Sequence, residues 1–180
     1  MRSTKFLLAA TVLLVVSAVL APRPGGAQEI PLPITRPCKH PCVNKILFAS
    51  GPQLDKLELH ARIVPATSID PAGETFVFEL SNANGTIFSA TLPPGAFATS
   101  KKRYIYRNPA ARTAGGLYRV TISERHDANE GFRVDLLAYG DLSAATLADM
   151  TTIIAVGGDG FFNSGPWNQL KHGWSLDFAP

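Results

Sequence analysis

Cysteine, histidine and long apolar runs are all scarce in this chain. Two cysteines and four histidines occur in 180 residues. A disulfide-scaffolded miniprotein is excluded, because such folds carry many cysteines in short chains. Phe6 to Leu20 is the one extended apolar run, and it is shorter than the roughly 18 to 20 residues that span hydrocarbon. Active-site patterns are missing as well. G-x-S-x-G does not occur, and Ser50-Gly51 and Ser164-Gly165 are turn signals rather than nucleophile elbows. C-x-x-C-H, which attaches haem, is also absent. The pattern C-x3-C-x3-H-x2-M of binuclear copper sites fails, with Ile46 and Ala49 at its His and Met positions.

The run at Phe6 follows Arg2 and Lys5 and precedes Ala21-Pro22-Arg23-Pro24-Gly25-Gly26-Ala27. A positive start, an apolar stretch and small residues with breakers make a cleavable secretory signal over 1–27. A secreted or periplasmic protein is expected, with no stable membrane span after cleavage. The first 27 residues hold Arg2, Lys5 and Arg23 and no acid, so the 17 basic residues fall to 14, against 14 acidic ones, in a chain beginning at Gln28. Net neutrality is no footprint for general nucleic-acid or anionic-membrane binding. The charges are nevertheless segregated. Lys101, Lys102, Arg103, Arg107, Arg112, Arg119, Arg125 and Arg133 lie close together, whereas Lys171 is the only basic residue from Val134 onward. Ordinary solvated faces are the bland explanation, and Arg103 and Arg107 are candidates for an anion site.

Residues 28–44 form a proline-rich arm with Pro31, Pro33, Pro37 and Pro41, a tether or an edge-lying segment. Within it Cys38-Lys39-His40-Pro41-Cys42 is the sharpest local feature. In an oxidising compartment Cys38 and Cys42 most simply form a disulfide, and so small a loop adds little stability. Redox chemistry, or soft-metal binding with His40 as a third ligand, is the functional alternative.

Residues 45–180 read as one domain of many short strands. Leu57, Leu59, Ala61 and Ile63 alternate with Lys56, Glu58, His60 and Arg62, the two-residue period of a half-buried strand. Phe76, Phe78 and Leu80 lead into Asn82-Ala83-Asn84-Gly85, and Ile87 to Leu92 returns as a hairpin. Arg103 to Arg107 sets Tyr104 and Tyr106 on one face, and Tyr118, Val120 and Ile122 alternate next. Phe132, Val134, Leu136 and Ala138 alternate with Arg133, Asp135, Leu137 and Tyr139, and Met150 to Val156 ends at Gly157-Gly158-Asp159-Gly160. A short turn at Asp141 to Asp149 is the only helix candidate. The expected class is all-β: an antiparallel β-sandwich with an immunoglobulin-like Greek key, or alternatively a jelly roll or small open barrel.

At A-Y-G-D-L-S-A-A-T (Ala138 to Thr146), F-F-N-S-G-P-W (Phe161 to Trp167) and the closing G-W-S-L, the chain resembles a group of uncharacterised secreted bacterial proteins. The resemblance extends over most of Phe76 to Leu176, with similar turns at Thr91 to Gly95 and Gly115 to Tyr118. It implies export and a β-sandwich and brings no catalytic residue or activity.

Catalysis finds little support elsewhere. His126-Asp127 would need a hydroxyl such as Ser123 placed by the fold, and exposed histidines on loops and polar faces are the simpler reading. Asp141 with Asp149 could serve glycoside hydrolysis, although capping explains Asp141 equally. Asp159 with Asn163 lacks the ligand density of a calcium loop. Among Tyr139, Phe161, Phe162, Trp167 and Trp174 most rings belong in a core. Trp167, after Ser164-Gly165-Pro166, is the one expected at the surface, and with Tyr139 it is a ligand-binding candidate. The expectation is therefore a non-catalytic binding or structural module without a cofactor. Its partner would be a carbohydrate, a peptide or an envelope protein, with no nucleic acid. The alternative is a thiol-redox or soft-metal protein using the cysteine arm.

Overall fold

The computed structural model describes residues 32–34, 43–50, 54–66, 68–125 and 131–177. The leader at 1–27, Cys38, His40 and Cys42, the turn at Gly51 and Pro52, and His126 with Asp127 lie outside the described residues. Among the described residues the strands are β1 (Leu32–Pro33), β2 (Val43–Leu47), β3 (Asp55–Ile63), β4 (Phe76–Asn82), β5 (Gly85–Leu92), β6 (Ala98–Ser100) and β7 (Arg103–Arg107). One helical turn, α1 (Ala111–Ala114), precedes β8 (Gly116–Glu124) and β9 (Phe132–Gly140). The chain then continues as β10 (Asp149–Val156), β11 (Asp159–Pro166), β12 (Asn168–Leu170) and β13 (Gly173–Asp177).

These strands make an antiparallel β-sandwich. A five-stranded sheet, β1-β11-β10-β4-β5, packs on an eight-stranded one, β12-β13-β2-β3-β9-β8-β7-β6. Among the described residues the one parallel pair is β1 with β11, where Leu32 lies opposite Phe161. Alternation in the sequence becomes alternation in burial. Phe76, Phe78, Leu80, Met150, Ile154 and Phe161 on the smaller sheet are fully buried against Leu57, Leu59, Ile63 and Ile122 of the larger. Each such side chain contributes about 1.5–3 kcal/mol by leaving water. At one flank the Phe97 ring stands edge-on to Phe76 at 5.7 Å and to Tyr106 at 6.4 Å, closing the space between the sheets.

Two expectations about local structure are corrected. Residues 141–148 form turns and bends rather than a helix, because the backbone groups a helix would use are bonded elsewhere. The Leu142 N–H donates to Asp55 Oδ2 at 2.9 Å, and the Ala144 carbonyl accepts from Asn82 Nδ2 at 2.9 Å. The Ala145 carbonyl accepts from Trp174 Nε1 at 2.7 Å. This crossover between the sheets is thus stapled to both. The helical turn occurs instead at Ala111–Ala114, between β7 and β8.

Tyr118 is also displaced from its expected face. Leu117 pairs with Ala138 and Arg119 with Leu137, so Tyr118 is the extra residue of a β-bulge and Leu117 takes the inward position. A bulge resets the two-residue phase.

Gly173, at the start of β13, lies against the backbone of β2. Its φ is +142°, and a Cβ there would run into the Ile46 carbonyl. Gly173→Ala is therefore expected to cost at least ~2 kcal/mol. Gly158→Ala, with open space around it, should stay within ~0.5 kcal/mol of the parent. Urea unfolding of both variants checks the pair, and equal effects would contradict the close approach of β13 to β2.

Candidate functional site

The outer face of the eight-stranded sheet carries a dense set of charged side chains. Because Leu57, Leu59, Ala61 and Ile63 turn inward, Lys56, Glu58, His60 and Arg62 point outward. On β9 the same rule sends Arg133, Asp135, Leu137 and Tyr139 outward. The bulge at Tyr118 places Arg119, Thr121 and Ser123 on this face of β8, where they lie opposite Arg107, Ile105 and Arg103 of β7.

Strand register arranges these side chains in rows. Arg62 is opposite Arg133, which is opposite Ser123 and then Arg103. His60, Asp135, Thr121 and Ile105 form the next row, followed by Glu58, Leu137, Arg119 and Arg107. Two arginine pairs, Arg62/Arg133 and Arg107/Arg119, thus stand directly opposite each other across neighbouring strands. Like charges in that position repel and cost stability. Among the described residues no ion pair engages Arg103, Arg107 or Arg119. Arg103, Arg119, Arg125 and Arg133 border an open groove of about 550 Å³, with Thr121 and Ser123 on its floor.

At the centre of the face one carboxylate is held by two partners, His60 and Arg133. Asp135 Oδ1 lies 2.7 Å from His60 Nδ1 and accepts from Arg133 Nε at 3.0 Å and Nη2 at 2.9 Å. Burial alone would raise the Asp135 carboxyl, but the hydrogen bonds and charges of His60 and Arg133 outweigh it and hold the group below its ordinary range. Asn44 fixes the histidine's backbone. It is 1% exposed and its Oδ1 accepts the His60 N–H at 2.7 Å, extending the β2–β3 pairing through a side chain. His60 Nε2 faces Glu58 Oε1 at 3.8 Å. The imidazole is thus set between two carboxylates, which is not the arrangement that activates a hydroxyl nucleophile.

The face has an aromatic end. Tyr139 and Tyr118 meet edge to face at 5.8 Å, and the Arg112 guanidinium lies 4.7 Å over the Tyr118 ring. On the other side of β7, where Tyr104 lies opposite buried Ile122, burial and the Glu124 carboxylate push the Tyr104 hydroxyl above its ordinary value, and that hydroxyl donates to Glu124 Oε1 at 3.4 Å.

Of the residues singled out from sequence, Tyr139, Arg103 and Arg107 come together on this one face. Trp167 does not: it is 2% exposed and part of the core, and its expected surface position is corrected. Its backbone N–H donates to the Ala148 carbonyl, which draws the residue under the stapled crossover. Asp141 caps a turn by accepting the Ser143 N–H at 3.0 Å. Asp159 and Asn163 lie four residues apart on β11, about 13 Å at ~3.3 Å per residue, too far to share an ion. Cys38, His40 and Cys42 lie outside the described residues. His60 and Asp135 were legible only as members of polar strand faces, and Arg119 and Arg133 only as part of a basic run, since nothing in a linear sequence states which strands are neighbours.

Comparison of the chain with protein-family models, with curated proteins and with solved structures finds no match. Function is accordingly read from this face.

A carboxyl lowered in the folded state contributes stability above its unfolded value, and that stability is lost as pH falls through the lowered value. At neutral pH Asp135→Asn should be less stable than the parent by about 1–3 kcal/mol. The gap should close as pH drops below the ordinary value of 3.8. Urea unfolding across that range checks it, and a gap that persists undiminished in strong acid would contradict the ionised cluster.

Proposed function

We propose that this chain is an exported, non-catalytic binding module. It works through the outer face of its eight-stranded sheet, on partners that present acidic groups: a carbohydrate, a peptide or an envelope protein. The observation that carries the reading is the opposed pair Arg107/Arg119, beside Arg103, with no ion pair to any of the three among the described residues. A fold gains nothing from such repulsion, whereas an arriving anion relieves it and is gripped by planar guanidinium forks. Among the described residues no helix is long and apolar enough to cross a membrane, in keeping with a protein exported on a leader removed near Ala27.

Carbohydrate and peptide arrays probed with the protein test this reading. Arg107→Gln and Arg119→Gln should each abolish retention of a hit. Both should leave stability unchanged or raise it by up to ~1 kcal/mol, because cross-strand repulsion is removed. Hits indifferent to both substitutions would overturn the assignment of the face.

The cysteine arm has its own test. In an oxidising compartment Cys38 and Cys42 pair as a disulfide of small loop and modest energetic weight. Thiol titration of the protein as secreted should find no free thiol before reduction and two after it. Reactive thiols with a stoichiometric metal would favour the thiol-redox or soft-metal reading with His40.

A further inference from the structure

Resting on that reading, we infer that the ligand is an acidic polysaccharide, a chain of hydroxyl-rich rings bearing carboxylate or sulfate groups. Length is the first reason. From Tyr139 to Arg133 along β9 is about 20 Å at ~3.3 Å per residue. Over that length the face passes from the Tyr139/Tyr118 ring pair to the Arg119/Arg107 row, then His60/Asp135/Thr121, then Arg133/Ser123/Arg103. A small anion bound at Arg119 and Arg107 would leave Arg103, two rows away, without an ion pair. An extended polymer with repeated charges meets both rows.

The row between the arginines decides the chemistry of the polymer. Asp135 is ionised and only accepts hydrogen bonds, and Thr121 and Ser123 offer hydroxyls beside it. A DNA backbone has no hydroxyl to donate to that carboxylate and would be repelled by it. Sugar hydroxyls donate and accept, so a glycan can engage Asp135 and His60 while its acid groups reach the arginines on either side. The tyrosine pair at the end of the face supplies an apolar surface for a ring.

Isothermal titration of the protein with polygalacturonate, its fully methyl-esterified form, dextran sulfate and poly(dT) tests the inference. Binding is expected for polygalacturonate or dextran sulfate, the one retained showing whether carboxylate or sulfate is preferred. The esterified chain and poly(dT) should each bind at least about tenfold more weakly, as should Arg103→Ala and Arg119→Ala with the retained glycan. Arg119→Lys, which keeps the charge and loses the fork, should fall between. Tyr139→Ala should weaken binding without changing its salt dependence. Equal affinity for the esterified chain, or for poly(dT), overturns the inference. So does an absence of glycan binding. If array hits of another class still require Arg107 and Arg119, the glycan assignment fails while the binding face stands. If they do not, both fail.

Discussion

Strand register is the constraint on which the rest of the molecule depends. Leu57, Leu59, Ala61 and Ile63 must face Phe76, Phe78 and Phe161 for the core to close, and a one-residue slip would turn every one of them outward. The same register then dictates what water sees. Glu58, His60 and Arg62 have no choice of side once their neighbours are buried, and they meet Leu137, Asp135 and Arg133 because β3 pairs with β9. The core thus determines the charge pattern of the outer face. The arginine rows are held as firmly as the hydrophobic layer beneath them, which is the condition for a preorganised binding surface.

Two devices adjust that rule locally. The bulge at Tyr118 shifts the phase of β8, so that Leu117 and Val120 are both buried and Arg119 joins the arginines of β7. Strict alternation through Tyr118 could not bury Leu117 and Val120 together. The second device is the crossover at residues 141–148, tied to Asp55 and Trp174 on one sheet and to Asn82 on the other. It joins the sheets where no strand pairs them. Asp55 serves twice, because its Oδ1 also accepts the Ala49 N–H at 2.8 Å.

Much of this architecture was legible in the sequence. Alternation at Lys56 to Ile63 and at Phe132 to Tyr139 identified both strands and the correct buried sides, and the hairpin of β4 and β5 followed from its turn residues. What was not legible is long-range. His60 and Asp135 lie 75 positions apart, and each alone is an ordinary polar residue on a strand; only their pairing makes a cluster. Tyr118 was misplaced because alternation was extended across a bulge that leaves no signature in its immediate neighbours. Trp167 was misplaced for a related reason. The turn residues before it suggested exposure, but the crossover that covers it is distant in the chain. Arg103 and Arg107 could be found because charge segregation survives in the linear order. Arg119 and Arg133 belong to the same basic run, but which arginines stand opposite one another is fixed only by register.

The flanks of the larger sheet have a bearing on how such a molecule behaves at high density. Its outermost strands, β6 and β12, are three residues each and wholly exposed: Ala98-Thr99-Ser100 and Asn168-Gln169-Leu170. On the smaller sheet β1 is shorter still and includes Pro33, which has no amide proton to offer. Lateral growth into ribbons needs a long run of waiting donors and acceptors, and among the described residues these three borders present only short ones. A chain built nearly throughout from strands can therefore crowd with its own copies on those sides without fusing into fibres.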